Sequence, residues 1–236
     1  MIDFLFDNRL LVTYTVEILA AIFGSYYISK FNNSVIKIFV YYLWLTVLFE
    51  ISGAYSYLFL NNYDLDWFIA LKNGVFCSNI WLFNIYSFLA IGIIGLFYSN
   101  LMTSQVFKNS IRIIFISYAI FAFTFFTFTD AFFVKSLPYN SVFEAVSMCI
   151  YVVFYFIELM RRDELLNFYK LPSFYISIAL LIWYLCVTPL FIFDSYFYAM
   201  NANFVEFRGK FLLYINIFTY LCFAFGFWYS LKKSKQ

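Results

Sequence analysis

Seven stretches of the chain are predominantly apolar for about twenty residues each, the length a helix needs to cross the hydrocarbon core of a bilayer. They run 10–29, 38–60, 75–98, 113–133, 141–160, 173–193 and 211–231. Polar and small positions inside them recur at steps of three and four, which is the helical period and not the alternation of a strand. No ten-residue alternation of the barrel type is present. The pattern predicts an all-α polytopic membrane protein, with seven transmembrane helices in one bundle and a single domain over 1–236. Pro138 and Pro172 fall beside span starts, while Pro189 lies inside the sixth span and predicts a kink there.

The fifth span carries the clearest stripe. Glu144, Ser147, Tyr151, Tyr155 and Glu158 are spaced three, four, four and three, so they share one helix face. Comparable faces hold Thr13, Glu17, Ala20 and Gly24 in the first span, and Thr46, Glu50 and Gly53 in the second. Asn84, Ser87 and Gly95 align in the third, Ser177, Tyr184 and Thr188 in the sixth, and Asn216, Thr219, Phe223 and Gly226 in the seventh. Small residues beside polar ones permit close helix contact, and intramembrane polar groups normally face the bundle interior.

Basic residues then orient the bundle. Lys30, Lys37, Lys108, Arg112, Arg161, Arg162, Lys170, Lys232, Lys233 and Lys235 lie on one side, ten against the five of Arg9, Lys72, Lys135, Arg208 and Lys210 on the other. The positive-inside rule makes the richer side cytoplasmic, with the amino terminus outside and the carboxyl terminus inside. MIDFLFDNR is acidic before it is basic, so the first span is expected to be retained as a helix and not cleaved as a signal peptide. Two stretches fall on the predicted outer side. Asp66 to Lys72 is expected to lie as a short interfacial helix with Trp67 at headgroup depth, and Asp194 to Lys210 as a long loop forming an aromatic belt or a lid.

Composition narrows the chemistry. The chain is 65% apolar and 12% charged, so its solvent is largely lipid. A net charge of +2, with no basic run, gives no basis for nucleic-acid binding. Cys77, Cys149, Cys186 and Cys222 lack metal spacing and read as small apolar side chains. Histidine is absent, which removes histidine-based haem, zinc and di-iron sites and the Ser-His-Asp triad within this chain. No cofactor and no metal site is expected. Neither a nucleophile–base pair nor a catalytic metal set can be named, so the chain reads as non-enzymatic.

The candidate site is acidic. Glu17, Glu50, Asn79, Asn84, Glu144 and Asn216 all fall in the predicted outer half of the membrane, and Ser147, Tyr151 and Tyr155 are the candidate lining of a path beyond it. No Lys or Arg lies within a span away from its ends. An isolated carboxylate is disfavoured in low dielectric, so these groups are neutral hydrogen-bond glue between helices, are balanced by a ligand or cation from outside, or line a solvated vestibule. Glu158, one turn before Arg161 and Arg162, reads as an interfacial ion pair.

Seven spans with the amino terminus outside invite comparison with microbial rhodopsins and G-protein-coupled receptors. The seventh span has no lysine for a Schiff base, the third ends GLFYSN without an Asp-Arg-Tyr pattern, and Asn-Pro-x-x-Tyr is missing. The first-span VTYTVEILAAI, the third-span WLFNIYSF and Leu171-Pro172-Ser173-Phe174-Tyr175 give the whole chain a resemblance to uncharacterised seven-span bacterial inner-membrane proteins. That resemblance implies a fold and a location, and no activity. Three functions stay open: a receptor-like unit binding a small ligand or cation and signalling through a separate cytoplasmic output protein, a proton- or cation-coupled transporter using the same carboxylates, and a scaffold with no site. The bilayer is the one partner the pattern requires, and oligomeric state is not legible.

Overall fold

The structure is a computed structural model, and it describes residues 8–60, 72–129, 131–137, 139–161, 163–197 and 202–233. These contain α1 (Arg9–Phe31), α2 (Ser34–Gly53), α3 (Ile80–Leu101), α4 (Gln105–Thr129), α5 (Asn140–Met160), α6 (Pro172–Phe197) and α7 (Ala202–Lys233). Short 3-10 segments follow α2 (Ala54–Leu60), precede α3 (Val75–Cys77) and join α5 to α6 (Asp163–Lys170). All seven helices are long and apolar enough to cross a membrane. The end at which α1, α3, α5 and α7 begin is called the upper end below.

Local chemistry sets several boundaries. Asn32 closes α1 in the left-handed conformation, with φ 43° and its N–H on the Ile28 carbonyl, a role Asn tolerates better than most residues. Asn33 then caps α2, its side-chain oxygen accepting from Val35 N at 3.0 Å and Ile36 N at 3.1 Å. Two adjacent asparagines therefore make the whole turn. Pro172 occupies the first position of α6, where its missing N–H costs nothing. The helix runs on through Pro189 to Phe197.

Three expected boundaries are corrected. α3 starts at Ile80, not Val75, because Val75–Cys77 forms its own tight turn. α4 starts at Gln105, eight residues before Ile113, since Gln105, Lys108 and Arg112 form helix readily although they are too polar to register as a span. It also ends at Thr129, four residues short of Phe133. The expected loop from Asp194 to Lys210 is largely helix. α6 extends to Phe197 and α7 begins at Ala202, and Lys210 pairs with Glu206 one turn away at 2.6 Å. The expected interfacial segment from Asp66 falls, Lys72 apart, outside the described residues.

Around the bundle, neighbours follow the order α1, α2, α3, α5, α6, α7 and back to α1, while α4 packs against α3 and α5. α4 is the rim helix: 17% of its apolar stretch is buried, against 44% for α2 and for α5. In lipid, apolar contact alone does not drive helices together, so interdigitation and interhelical hydrogen bonds hold them. Phe39 of α2 meets Phe97 of α3 at 5.3 Å and Phe223 of α7 at 5.1 Å between ring centroids, all three fully enclosed. Ala20, Ala21 and Gly24 let α1 approach this cluster closely. At the lower end Lys30, Lys37 and Lys232 lie over Tyr26, Tyr41 and Trp228 at 5.5–5.7 Å, a cation–π arrangement suited to an interfacial belt.

Candidate functional site

Glu17 lies eight residues into α1, about 12 Å along the helix at 1.5 Å per residue, and is 3% exposed. Its Oε2 is buried without a hydrogen-bond partner among the described residues. Glu50, near the end of α2, is close enough for the two carboxyls to repel one another, and Tyr220 of α7 faces Glu17. Tyr14 reaches across to the Glu50 backbone carbonyl at 3.3 Å. Thus α1, α2 and α7 bring two acids and a phenol together in the upper half of the bundle.

Glu144 belongs to a second group, between α3, α4 and α5. Asn140 Nδ2 donates to Glu144 Oε1 at 2.8 Å and to Ser87 Oγ at 3.1 Å, while Tyr118 donates to Asn140 Oδ1 at 2.7 Å. Ser87 also lies beside the Glu144 carboxyl. A layer of tyrosines separates the two groups. The hydroxyls of Thr46, Tyr86 and Tyr42 are linked in series at 3.0 and 3.3 Å. Tyr42 stands in the field of both Glu17 and Glu144, and Tyr220 in that of Glu17 and Glu50.

The candidate asparagines are tied elsewhere. Asn79 Nδ2 donates to the Gly53 carbonyl at 3.0 Å and to Ser56 Oγ at 3.2 Å, fastening the start of α3 to the end of α2. Asn84 Nδ2 donates to the carbonyls of Phe132 at 2.9 Å and Lys135 at 3.1 Å, holding the segment between α4 and α5. Asn216 Oδ1 accepts from Trp183 Nε1 at 2.7 Å and joins α7 to α6. Of the six candidates, then, Glu17 and Glu50 come together, Glu144 sits in its own network, and the three amides brace helix junctions.

The stripe on α5 does face the interior. Ser147, Tyr151 and Tyr155 are 2%, 0% and 5% exposed. Tyr98 of α3 packs on both tyrosine rings, at 6.0 and 6.2 Å, and donates to Ser177 Oγ at 2.9 Å. Tyr155 is hydrogen-bonded to Ser173 at 2.9 Å. These contacts pack rings across the bundle from Tyr151 to Tyr155, and below them lies a cavity of about 240 Å³ lined by Tyr155, Glu158 and Ser173 among others. Glu158, at the bottom of the stripe, accepts from the Thr103 hydroxyl and from the Thr103 and Ser104 backbone N–H groups. It therefore anchors the start of α4, where a helix exposes unsatisfied donors and favours negative charge. Arg162, one of its expected partners, lies outside the described residues.

Residues that the spacing did not single out are Tyr42, Tyr86, Tyr118, Asn140 and Tyr220. Tyr42 extends the Thr46–Glu50–Gly53 face by one turn and was detectable on that ground. Tyr86 lies off the Asn84–Ser87–Gly95 face and gives no such signal. Seven apolar helices make the chain a multi-pass integral membrane protein, and no protein-family model, curated protein or solved structure matches it.

Proposed function

We propose that the chain is a receptor-like membrane protein that binds a small cation between Glu17 and Glu50, from the outer side of a bacterial inner membrane. The bound state would pass to a separate cytoplasmic partner through the helices that supply the two acids. One observation carries this reading: Glu17 Oε2 is buried and, among the described residues, unpartnered beside a second carboxyl, in spans that contain no internal Lys or Arg. A cation takes the place of the proton that must otherwise neutralise such a pair, and it supplies the missing partner. The facing groups are oxygen donors, which suits a hard cation.

A coupled transporter would use the same acids but would also need an exit. The packed layer of Tyr98, Tyr151 and Tyr155, tied to Ser177 and Ser173, favours binding without passage. The test is thermal unfolding of the purified protein in lithium, sodium, potassium and calcium chlorides, with choline chloride as the reference. A cation at about 100 times its Kd should add about 2.7 kcal/mol of stability, and Glu17→Gln and Glu50→Gln should each remove that gain. If no cation shifts the midpoint, or the shift persists in both variants, the carboxyls act as hydrogen-bond glue and the proposal fails.

A further inference from the structure

A cavity of about 740 Å³ lies between α3 and α4, beneath the segment that joins α4 to α5. Its volume falls in the range of roughly 300–1,000 Å³ that holds small molecules. Ile85, Ala119, Ala122 and Phe126 supply apolar wall, and Phe88, Ile120 and Phe123 border it on the side where α4 is exposed, Phe123 by 74%. In a bilayer that side meets acyl chains, so entry is lateral. Asn84, Ser87, Tyr118 and Asn140 also line it, and no Lys or Arg does among the described residues.

The hydrogen-bond valences of these four residues specify what can dock against them. Both Nδ2 hydrogens of Asn84 are spent on the Phe132 and Lys135 carbonyls. Asn140 spends its two on Ser87 and Glu144 and Tyr118 spends its one on Asn140, while Ser87 Oγ accepts from Asn140 beside the Glu144 carboxyl. The unused capacity is therefore predominantly acceptor: Asn84 Oδ1, the second lone pair of Asn140 Oδ1, and the oxygens of Tyr118 and Ser87. An acceptor-only head would leave these lone pairs facing more lone pairs. An anionic head would in addition meet Glu144 behind Asn140, with no lining cation to balance it.

We propose that this cavity binds a membrane amphiphile with a single apolar chain and a hydrogen-bond-donating, non-anionic head, a long-chain alcohol or alkylammonium. The chain lies between α3 and α4, and the head donates to the Asn84–Asn140 end. Binding there presses on the network that holds Glu144 and on the segment that Asn84 braces, and it is independent of the Glu17–Glu50 pair.

The experiment uses the full chain in phosphatidylcholine vesicles and four photoactivatable probes of one chain length, with diazirine on the chain and a hydroxyl, ammonium, methyl ether or carboxylate head. Cross-linked residues are mapped by mass spectrometry. The hydroxyl and ammonium probes should label Ala119 and Ala122 above fully lipid-facing positions such as Leu48 and Phe128, and roughly five-fold more than the ether or carboxylate, the effect of one hydrogen bond. Ala122→Phe should abolish this excess while leaving Leu48 labelling unchanged. Labelling that simply follows surface exposure, or four heads that label the cavity equally, overturns the proposal on the wild-type protein alone, whether or not the variant folds.

Discussion

Replacing Gly226 by alanine should destabilise the bundle even though alanine is the better helix former. A Cβ at Gly226 would lie 2.7 Å from Tyr175 Cβ and 3.2 Å from its Cγ, where carbon atoms rest about 3.5–4.0 Å apart. Rotation of the tyrosine ring cannot relieve the first contact, because Tyr175 Cβ is fixed to the α6 backbone. Relief requires α6 and α7 to separate along one of the most extensive helix pairings in the bundle. Overpacking costs about 1–3 kcal/mol, and a contact borne by the backbone belongs near the upper figure. The gain in helix propensity offsets about 1 kcal/mol, leaving a net loss of about 2 kcal/mol. Gly95 is the control, since its Cβ would meet Ile111 Cγ2 and the Tyr151 hydroxyl at 3.6 Å, an ordinary contact. Gly95→Ala should be neutral or more stable by up to about 1 kcal/mol. Reversible unfolding in mixed micelles, followed by far-UV circular dichroism, measures both. The reasoning is refuted if Gly226→Ala matches the wild type, or if Gly95→Ala loses as much as Gly226→Ala.

Other substitutions test single ties. Tyr98→Phe strands the fully buried Ser177 hydroxyl and should cost about 0.6 kcal/mol, at most about 1.7; adding Ser177→Ala should cost little more, which a double-mutant cycle in the same unfolding assay reads. Asn84→Leu removes both donors that hold Phe132 and Lys135, so limited proteolysis should cut at 131–137 faster, with a stability loss of about 1–3 kcal/mol. Glu158→Gln weakens the acceptor that gathers the Thr103 and Ser104 donors. Amide exchange in the first turn of α4 should then accelerate by roughly five-fold, an effect of about 1 kcal/mol, while α6 amides stay unchanged.

How much was legible in the sequence differs by level. Seven helices followed from apolar length alone, because lipid demands a long, internally hydrogen-bonded segment. Their ends did not, since Gln105–Arg112 and Glu206–Lys210 are polar stretches whose helicity rests on propensity and i,i+4 pairing, to which a hydropathy threshold is blind. The face carrying Ser147, Tyr151 and Tyr155 was readable because one helix's period fixes which side chains share a side. Which faces meet was not. Glu17 and Glu50 converge because α1 and α2 are joined by a two-residue asparagine turn, whereas Glu144 is held away by Asn140, a residue at a span's edge that hydropathy assigns to a loop. The tyrosine layer was only partly visible: Tyr42 and Tyr220 continue polar faces by one turn, but aromatics occur throughout the chain and nothing marks Tyr86 until the helices are assembled.

The central claim is that the Glu17–Glu50 pair takes a cation. Infrared difference spectroscopy tests it most directly, recorded as choline is replaced by sodium or potassium around the purified protein. The account predicts loss of a protonated-carboxyl C=O band with a matching rise in carboxylate bands, and disappearance of both changes in Glu17→Gln. A spectrum with no carboxyl change, or the same change in both Glu17→Gln and Glu50→Gln, would contradict it.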